Sequence, residues 1–337
     1  MRMGGAANGI FTVSLDFELY WGMSDICELD DGYQATLRRT RHDVIPRLLA
    51  LFEDYGVHAT WATVGFLLFE SGDDLRAAGP ARLPTYDDAN LSNHDRLADV
   101  GADEADDPYR LAPSLVEAIR AVPGQELGSH SFSHYYCLEP GPADDAFLAD
   151  LTAWRNAADE RGIDSGSICF GRNQYGPRDL DHCTEAGFDA YRGNEPFWCY
   201  TPRAGADDGL PRKLARRADT YAPLFPHHCP TLDDVAATAP RNVASSRFLR
   251  MVDRRLRFLE PLKRRRVATG MAHAARTGGI YHLWWHPQDL AVDTDDNFAL
   301  VTSALDAFAR CRDEYGMASL NMGEIAERAD RAAEAPA

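Results

Sequence analysis

Short apolar runs alternate with helical repeats along the chain. Runs of strand length predict buried strands at residues 10–15, 58–64, 126–129, 167–170, 188–191, 278–285 and 318–320. Helical spacing of apolar residues predicts helices at 38–55, 113–122, 143–162, 177–186, 298–315 and 323–334, and a basic helical stretch at 246–277. Repeated β-α alternation is typical of an α/β protein with a parallel sheet or barrel.

Two segments interrupt this alternation. Residues 71–112 are rich in Gly, Pro and acidic residues, and residues 193–245 are irregular and contain many prolines. We found neither an internal repeat nor a linker. The sequence therefore predicts one domain over residues 1–337, with insertions at about 71–112 and 193–277.

Charge narrows the classes of partner. The chain has 52 Asp and Glu against 35 Lys and Arg, a formal net charge of -17, and only two lysines. Such a negative field disfavours binding to nucleic acid or to an anionic membrane as a whole. We predict a halophilic protein, because high salt would screen the repulsion among its acids; an acidic, Arg-rich protein from a GC-rich genome is the alternative.

Cysteine usage and the N-terminus bear on the compartment. The seven cysteines are scattered and include no C-x-x-C pair, which argues against a disulfide framework and against a thiolate zinc site. The first five residues begin no long apolar run, so we expect no signal peptide, and no stretch of the chain approaches 18 apolar residues. The sequence therefore predicts a cytoplasmic protein.

Acidic side chains mark the end of the first predicted strand. Asp16 and Glu18 lie two residues apart there, so their side chains share one face. Two adjacent carboxylates repel each other unless a cation or a proton lies between them. They could bind a cation, or they could simply cap backbone amides.

A histidine pair follows the third predicted strand. His130 and His134 are four residues apart, a spacing that places both imidazoles on one face of a helix. Together with a carboxylate they would make a three-ligand metal site that leaves a position open for water. In a chain with 11 histidines, a chance pair beside a helix start is the alternative.

Two later strand ends are also polar. Arg172 follows the strand at 167–170, where it could clamp a carboxylate, although a solvated arginine in an ordinary turn is the simpler interpretation. On the strand at 278–285, His282 and Trp284 share a face with His286, which Pro287 places at the rim. A rim histidine can serve as a general acid, and a core histidine satisfied by hydrogen bonds is the alternative.

The order of these motifs resembles the polysaccharide deacetylase family, the NodB-homology group of carbohydrate esterases. The resemblance extends from about residue 10 to about residue 330. Its motifs are Ser14-Leu15-Asp16-Phe17-Glu18, Thr60-Trp61-Ala62-Thr63-Val64-Gly65, His130-Ser131-Phe132-Ser133-His134, Arg172-Asn173-Gln174-Tyr175-Gly176 and the strand that ends at His286.

This resemblance implies a distorted (β/α) barrel of about seven strands and a divalent metal, most often zinc. By position it implies that Glu18, His130 and His134 are metal ligands and that Asp16 is the general base. It further implies that Arg172 orients Asp16, that the backbone amide of Tyr175 completes an oxyanion site, and that His286 protonates the leaving amine. Trp284 and His282 are the candidate substrate contacts on the closing strand.

The substrate implied is an N-acetylated carbohydrate or a sugar precursor. Three departures from the family pattern qualify it: the Asp-x-Glu spacing, Asn173 and Gln174 in place of two prolines, and the second histidine at position 282. The Asp-x-Glu spacing also occurs in the branch that resembles peptidoglycan deacetylases and allantoinase-like amidohydrolases. Another C–N hydrolase acting on a cyclic amide or imide, and a non-catalytic glycan-binding module, are therefore the alternatives.

A basic stretch stands out in this acidic chain. Residues 250–266 contain eight basic and two acidic residues. The stretch could contact a phosphate-bearing substrate or a membrane surface, or its arginines could pair with the protein's own acids.

Overall fold

The computed structural model describes residues 8–334. The strands of this part of the chain are β1 (Ile10–Phe17), β2 (Ala59–Thr63), β3 (Gln125–Ser129), β4 (Ser167–Ile168), β5 (Ala190–Tyr191), β6 (Arg241–Asn242), β7 (Arg247–Phe248), β8 (Ile280–Trp285) and β9 (Ala318–Ser319). Residues 1–7, on which the expectation that a signal peptide is missing depends, and residues 335–337 lie outside the described part.

The α-helices surround this sheet. They are α1 (Asp31–Arg39), α2 (Ile45–Tyr55), α3 (Gly72–Ala77), α4 (Pro113–Arg120), α5 (Ala146–Asp159), α6 (Pro177–Glu185), α7 (Leu210–Asp219), α8 (Leu232–Ala236), α9 (Glu260–Thr277), α10 (Thr294–Tyr315) and α11 (Met322–Glu334). No helix within residues 8–334 combines the length and the apolar character needed to cross a membrane.

The strands form one parallel sheet in the order β6-β5-β4-β3-β2-β1-β8-β7, with β9 paired to the start of β1. All eight residues of β1 are buried, which is the expected composition of a central parallel strand covered on both faces. The curled sheet confirms the predicted distorted (β/α) barrel. The barrel is open, because β6 and β7 are the terminal strands at opposite edges of the sheet.

The seven predicted strands are all present, and most of them are shorter than predicted. Strands β6 and β7 were not predicted, because each is two residues long and begins with an arginine rather than with an apolar run. Both lie in the segment 193–277, so this predicted insertion contributes to the sheet itself. The segment also contains the helices α7 and α8.

The helix predicted at 38–55 begins earlier and is interrupted. Helix α1 begins after Asp30, whose side chain accepts a hydrogen bond from the Tyr33 amide. A π-helical turn at Thr40–Val44 connects α1 to α2, and α2 ends at Gly56 with a φ of 65°. The left-handed residue that closes the helix is therefore glycine, as the sequence predicts.

An ion pair joins the start of β2 to α11. His58 Nδ1 lies 2.7 Å from a carboxylate oxygen of Glu324. The hydrogen bond to Glu324 raises the pKa of His58, although burial opposes the shift. Burial acts to raise the pKa of Glu324, but hydrogen bonds from His58 and the Asn321 amide lower it.

Replacing His58 by Gln is expected to destabilise the protein more at about pH 6 than at about pH 9. A raised histidine pKa contributes stability that is complete below the unfolded pKa and is lost as pH rises through the folded pKa. The pair is half-exposed, so the loss should be below about 1 kcal/mol. Urea unfolding at both pH values measures it, and equal losses at the two would contradict this role.

Candidate active site

The polar strand ends predicted from sequence meet at the carboxyl edge of the sheet. Asp16 lies near the end of β1, Glu18 follows it, His130 follows β3, and His286 follows β8. Parallel strands bring their carboxyl ends to one edge, which is where barrels of this kind place their sites. The first three of these side chains are at most 3% exposed, so the group is held inside the mouth of the barrel.

Glu18, His130 and His134 form a compact group of ligand atoms. One carboxylate oxygen of Glu18, Oε2, lies 3.4 Å from His130 Nε2 and 3.1 Å from His134 Nε2. The three ligand atoms lie within 4.8 Å of one another, close enough to share one cation. Two imidazole nitrogens and one carboxylate oxygen are the donor set of a catalytic zinc site, so the residues fit a divalent metal.

Neighbouring groups orient these ligand atoms. The Nδ1–H of His130 donates to the backbone oxygen of Cys169 at 2.9 Å, which directs its Nε2 lone pair toward Glu18. The amide of Gln288 donates to Glu18 Oε1 at 2.8 Å and leaves Oε2 facing both histidines. Burial lowers the pKa of His134, which favours the neutral imidazole that metal binding requires.

The charge of Glu18 is held by its surroundings. Burial alone would raise the pKa of this carboxyl. The nearby His286, His130 and His134 together lower it well below its ordinary value. Glu18 is therefore an ionised carboxylate, the form that binds a cation.

The segment that contains both histidines is a loop and not the predicted helix. Ser131 and His134 have φ values of 60° and 58°, in the left-handed region. The buried Asp150 of α5 accepts hydrogen bonds from the Phe132 amide at 2.7 Å and the Ser133 amide at 3.2 Å. Sequence reasoning missed Asp150, which fixes the loop from a helix about 20 residues later.

Asp150 lies in an environment that penalises its charge. Burial raises the pKa of this carboxyl to about 6, although hydrogen bonds from the Ser133 hydroxyl and the loop amides act in the opposite direction. The pKa of Asp150 is raised because its carboxyl is removed from water, and the groups of the loop are its hydrogen-bond partners instead.

Asp16 is bound by an arginine that the sequence did not single out. Arg192, directly after β5, donates to both carboxylate oxygens of Asp16, at 2.6 and 2.9 Å. Both side chains are at most 5% exposed. Burial would raise the pKa of Asp16, but the charge and hydrogen bonds of Arg192 together with the nearby His130 and His286 lower that pKa. Asp16 is therefore ionised, and both of its oxygens already have a partner.

The prediction that Arg172 orients Asp16 is wrong. Arg172 forms an ion pair with Asp25 and a longer one with Glu139 at 3.5 Å, and its guanidinium lies 4.3 Å from the ring centre of Tyr136. It follows β4 in a turn with φ of 52°, which directs it away from β1. The arginine after the next strand, Arg192, holds Asp16 in the way that was predicted for Arg172.

The prediction that His282 contacts substrate is also wrong. His282 is fully buried, with Nδ1 2.9 Å from the Val243 oxygen and Nε2 2.8 Å from the Ser14 hydroxyl. Burial, followed by the charge of Arg192, lowers the pKa of His282 to about 3. The same Ser14 hydroxyl accepts from Arg192 at 3.0 Å, so His282 supports the arginine that holds Asp16.

His286 lies at the rim, as predicted. Its Nε2 is 3.6 Å from Asp16 and 4.0 Å from Glu18, and its Nδ1 is 3.0 Å from Asp289. Burial lowers the pKa of His286, but Asp289 and then Glu18 and Asp16 more than offset it and raise the pKa to about 10. Asp289, three residues on, is a second group that sequence reasoning missed.

Two further predicted residues lie beside this group. The ring centre of Trp284 lies 5.7 Å from that of His286 and 4.2 Å from the guanidinium of Arg192. The hydroxyl of Tyr175 accepts a hydrogen bond from the Asn194 amide at 3.2 Å. Asn173, in the same turn, accepts from Arg192 at 3.1 Å, so this turn lies against the Asp16–Arg192 pair.

Replacing Arg192 by Gln is expected to destabilise the protein by about 3–5 kcal/mol, because it leaves the buried Asp16 carboxylate without its counter-charge. The matched replacement of Arg172 by Gln should cost about 1–2 kcal/mol, since Arg172 is partly exposed and Asp25 keeps the Tyr136 hydroxyl. Urea unfolding of both variants tests this order. An Arg172 variant that is the less stable of the two would contradict the assignment of Arg192.

Half of the basic residues in the stretch 250–266 pair with the protein's own acids. Lys263 lies 2.8 Å from Glu260, Arg266 lies 2.7 Å from Asp219, and the chain's acids also pair with Arg254 and Arg257. For these four residues the pairs favour the interpretation that the arginines and lysine neutralise the protein's own acids. A contact of the stretch with phosphate or membrane stays a prediction.

Comparison with known proteins gives the fold a name. No family model and no curated protein matches the sequence. Two proteins assigned as polysaccharide deacetylases have similar structures. The one from Mycobacterium smegmatis is 13% identical with a TM-score of 0.55, covering 100% of this chain and 94% of that one. The one from Pseudomonas aeruginosa is 12% identical with a TM-score of 0.54, covering 97% and 92%.

The same fold also occurs in an allantoinase. That structure is 13% identical with a TM-score of 0.53, and the match covers 100% of this chain and 94% of the allantoinase. At these identities the likenesses establish the fold, a distorted barrel of the polysaccharide deacetylase type.

Proposed function

We propose that this protein, which has the polysaccharide deacetylase fold, is a metal-dependent hydrolase that removes the N-acetyl group from an amino sugar in a glycan or glycan precursor. The observation that carries the proposal is the meeting of three parts at one edge of the sheet. These are the buried ligand group of Glu18, His130 and His134, the ionised Asp16, and His286 at the rim.

The ligand group is proposed to hold a divalent metal, zinc being the ion that best suits two imidazoles and a carboxylate. When bound, such an ion supplies Lewis-acid polarisation of a carbonyl and makes water more acidic. A buried, ionised Glu18 between two histidines is what the binding of a cation requires.

Asp16 is proposed to be the general base. Arg192 keeps its carboxylate ionised and fixes its orientation through two hydrogen bonds. Asp16 accepts a proton from the attacking water as the water oxygen bonds to the acyl carbon. Its position outside the ligand group separates proton transfer from metal binding.

His286 is proposed to be the general acid. Asp289 holds its Nδ1, so Nε2 is the nitrogen that faces the reacting groups. It donates a proton to the amine nitrogen as the C–N bond breaks, which releases acetate and the free amine. The backbone amide of Tyr175 is proposed to stabilise the oxygen of the acyl group, and Trp284 to contact the sugar.

The deciding experiment is an assay of the zinc-loaded protein against N-acetyl amino sugars, with cyclic amides and imides such as allantoin assayed in parallel. Acetate release that a chelator abolishes and zinc restores is the expected result. Turnover of the cyclic amides alone would replace the proposal with the allantoinase-like alternative. Zinc binding without turnover of either class of substrate would favour the alternative of a non-catalytic glycan-binding module.

A further inference from the structure

A large cavity opens beside His286 and has a basic wall. It has a volume of about 590 Å³, and His286 and Trp284 are among the residues that line it. The charged residues that line it are the basic Arg172, Arg203, Lys213, Arg216, Arg247 and Arg250 and the acidic Glu195 and Asp208. Such an excess of positive charge is unexpected in a chain with a net charge of -17.

Arg250 is the best-defined free cation in this wall. It is partly buried, its Nε is buried without a hydrogen-bond partner, and it forms no ion pair within residues 8–334. Its guanidinium lies 5.4 Å from the ring centre of Phe248. Burial, followed by the charge of Arg217, lowers the pKa of Arg250, the shift expected where cations gather without a counter-charge.

Other cations around the cavity are incompletely compensated. Arg247 and Arg266 share one carboxylate, Asp219, at 3.1 and 2.7 Å. Arg203 and Lys213, which are exposed in the same wall, form no ion pair in the described part of the chain. The residues around the cavity therefore carry more positive charge than the neighbouring acidic side chains neutralise.

The contrast with the rest of the basic stretch is informative. Arg254 and Arg257 lie on the outer surface and pair with Asp293 and Asp296. Arg250, at the start of the same stretch, lines the cavity and pairs with no acid of the described part of the chain. An acidic protein has carboxylates in excess, so an unpaired, partly buried arginine next to a reaction centre points to an anionic ligand.

We propose that this cavity is an anion-binding subsite, which holds a phosphate or carboxylate group of the same substrate whose acylated nitrogen lies at His286. The inference rests on the proposed function for the position of the amide, but the anion site itself depends only on the cavity. Phe248 and Tyr200 also line the cavity and offer ring surfaces, which suits a substrate larger than one neutral sugar.

Equilibrium binding tests the anion site without any activity. Titration calorimetry of inorganic pyrophosphate and of glucuronate into the wild type, at one fixed ionic strength, should show saturable binding of at least one of them. Arg250→Gln and Lys213→Gln should each weaken that binding about tenfold, the loss of one charge-assisted hydrogen bond. Arg255→Gln is the matched control, since Arg255 is exposed, forms no ion pair within residues 8–334 and does not line the cavity.

The outcomes separate the two proposals. Tighter binding of pyrophosphate than of glucuronate identifies a phosphate site, and the reverse identifies a carboxylate site. Binding that Arg250→Gln weakens upholds the anion site even if no N-acetyl compound releases acetate. No saturable binding by the wild type, or equal binding by the wild type and both cavity variants, overturns it. Melting temperatures of the variants verify that each is folded.

If both proposals hold, N-acetylglucosamine 1-phosphate or N-acetylmuramate should have a higher kcat/KM than N-acetylglucosamine. Arg250→Gln should lower kcat/KM for the anionic substrate about tenfold, through KM rather than kcat. A wild type that prefers the neutral sugar would contradict the placement of the anion on the substrate.

Discussion

Replacing Asp16 by Asn is expected to lower kcat by about 10²–10⁴-fold, the contribution of a general base, while zinc affinity stays unchanged. Asparagine fits the same space but cannot accept the proton of the attacking water. The ligand group consists of Glu18, His130 and His134, and Asp16 has both oxygens bound by Arg192, so its loss removes no metal ligand. Acetate release and zinc content of the purified variant measure the two effects.

A stability control separates catalysis from folding. Asp16→Asn leaves the buried Arg192 without its anionic partner, which should cost about 3–5 kcal/mol. The double variant Asp16→Asn, Arg192→Met removes both charges and should recover part of that stability but none of the activity. Recovered turnover in the double variant, or loss of zinc in the single one, would remove Asp16 from the role of base.

The sequence was sufficient to predict the sheet and the edge at which the site forms. When an apolar run ends in acidic or histidine residues, their side chains lie at the carboxyl end of a strand. Parallel strands bring these ends to one edge of the sheet. This rule correctly brought Asp16, Glu18, His130 and His286 together. Short polar strands such as β6 and β7 carry no apolar signal, so their pairing could be seen only in the assembled sheet.

The choice of arginine could not be read from the sequence. Arg172 and Arg192 follow neighbouring strands, β4 and β5, so both lie at the carboxyl edge of the sheet. Which of them meets Asp16 depends on the turn after β4, where φ at Arg172 is 52°, and on the curvature of the sheet. The position of Arg192 directly after a buried strand was a signal that sequence reasoning could have used.

His282 shows the limit of an alternation argument. It shares a face of β8 with Trp284, as predicted, but it lies deeper in the barrel, where it meets Ser14. Period-two spacing gives the face of a strand and not the depth along it. A strand histidine four residues before the rim residue therefore supports the site and does not contact the substrate.

The loop that carries His130 and His134 illustrates another limit. Their spacing of four fits a helix, but the structure reaches the same proximity through two left-handed residues and the buried Asp150. The side chain that fixes the loop is distant in sequence and lies on a helix with no other sign of function. The ligand pair was therefore predictable, and the reason for its geometry was not.

Replacing His134 by Asn is expected to lower zinc affinity by about 10²-fold or more and to abolish acetate release in parallel. Losses of 10–100-fold are typical for groups that merely support a ligand, so the loss of a ligand itself should reach or exceed them. Asparagine is the appropriate replacement because His134 has a φ of 58°, a conformation that Asn adopts more readily than Ala. Metal content after dialysis against a competing chelator measures the affinity.

His94→Asn is the matched control, because it also removes a buried imidazole close to the loop. The ring centre of His94 lies 6.4 Å from that of Phe132, but His94 is outside the ligand group. Both variants should lose some stability, since each leaves a space in a packed interior. Only the His134 variant should lose zinc, because His134 places a ring nitrogen beside Glu18 and His94 lies outside the ligand group. Equal zinc affinity in the two variants would show that the loss of His134 acts through packing and that the metal, if bound, is held elsewhere.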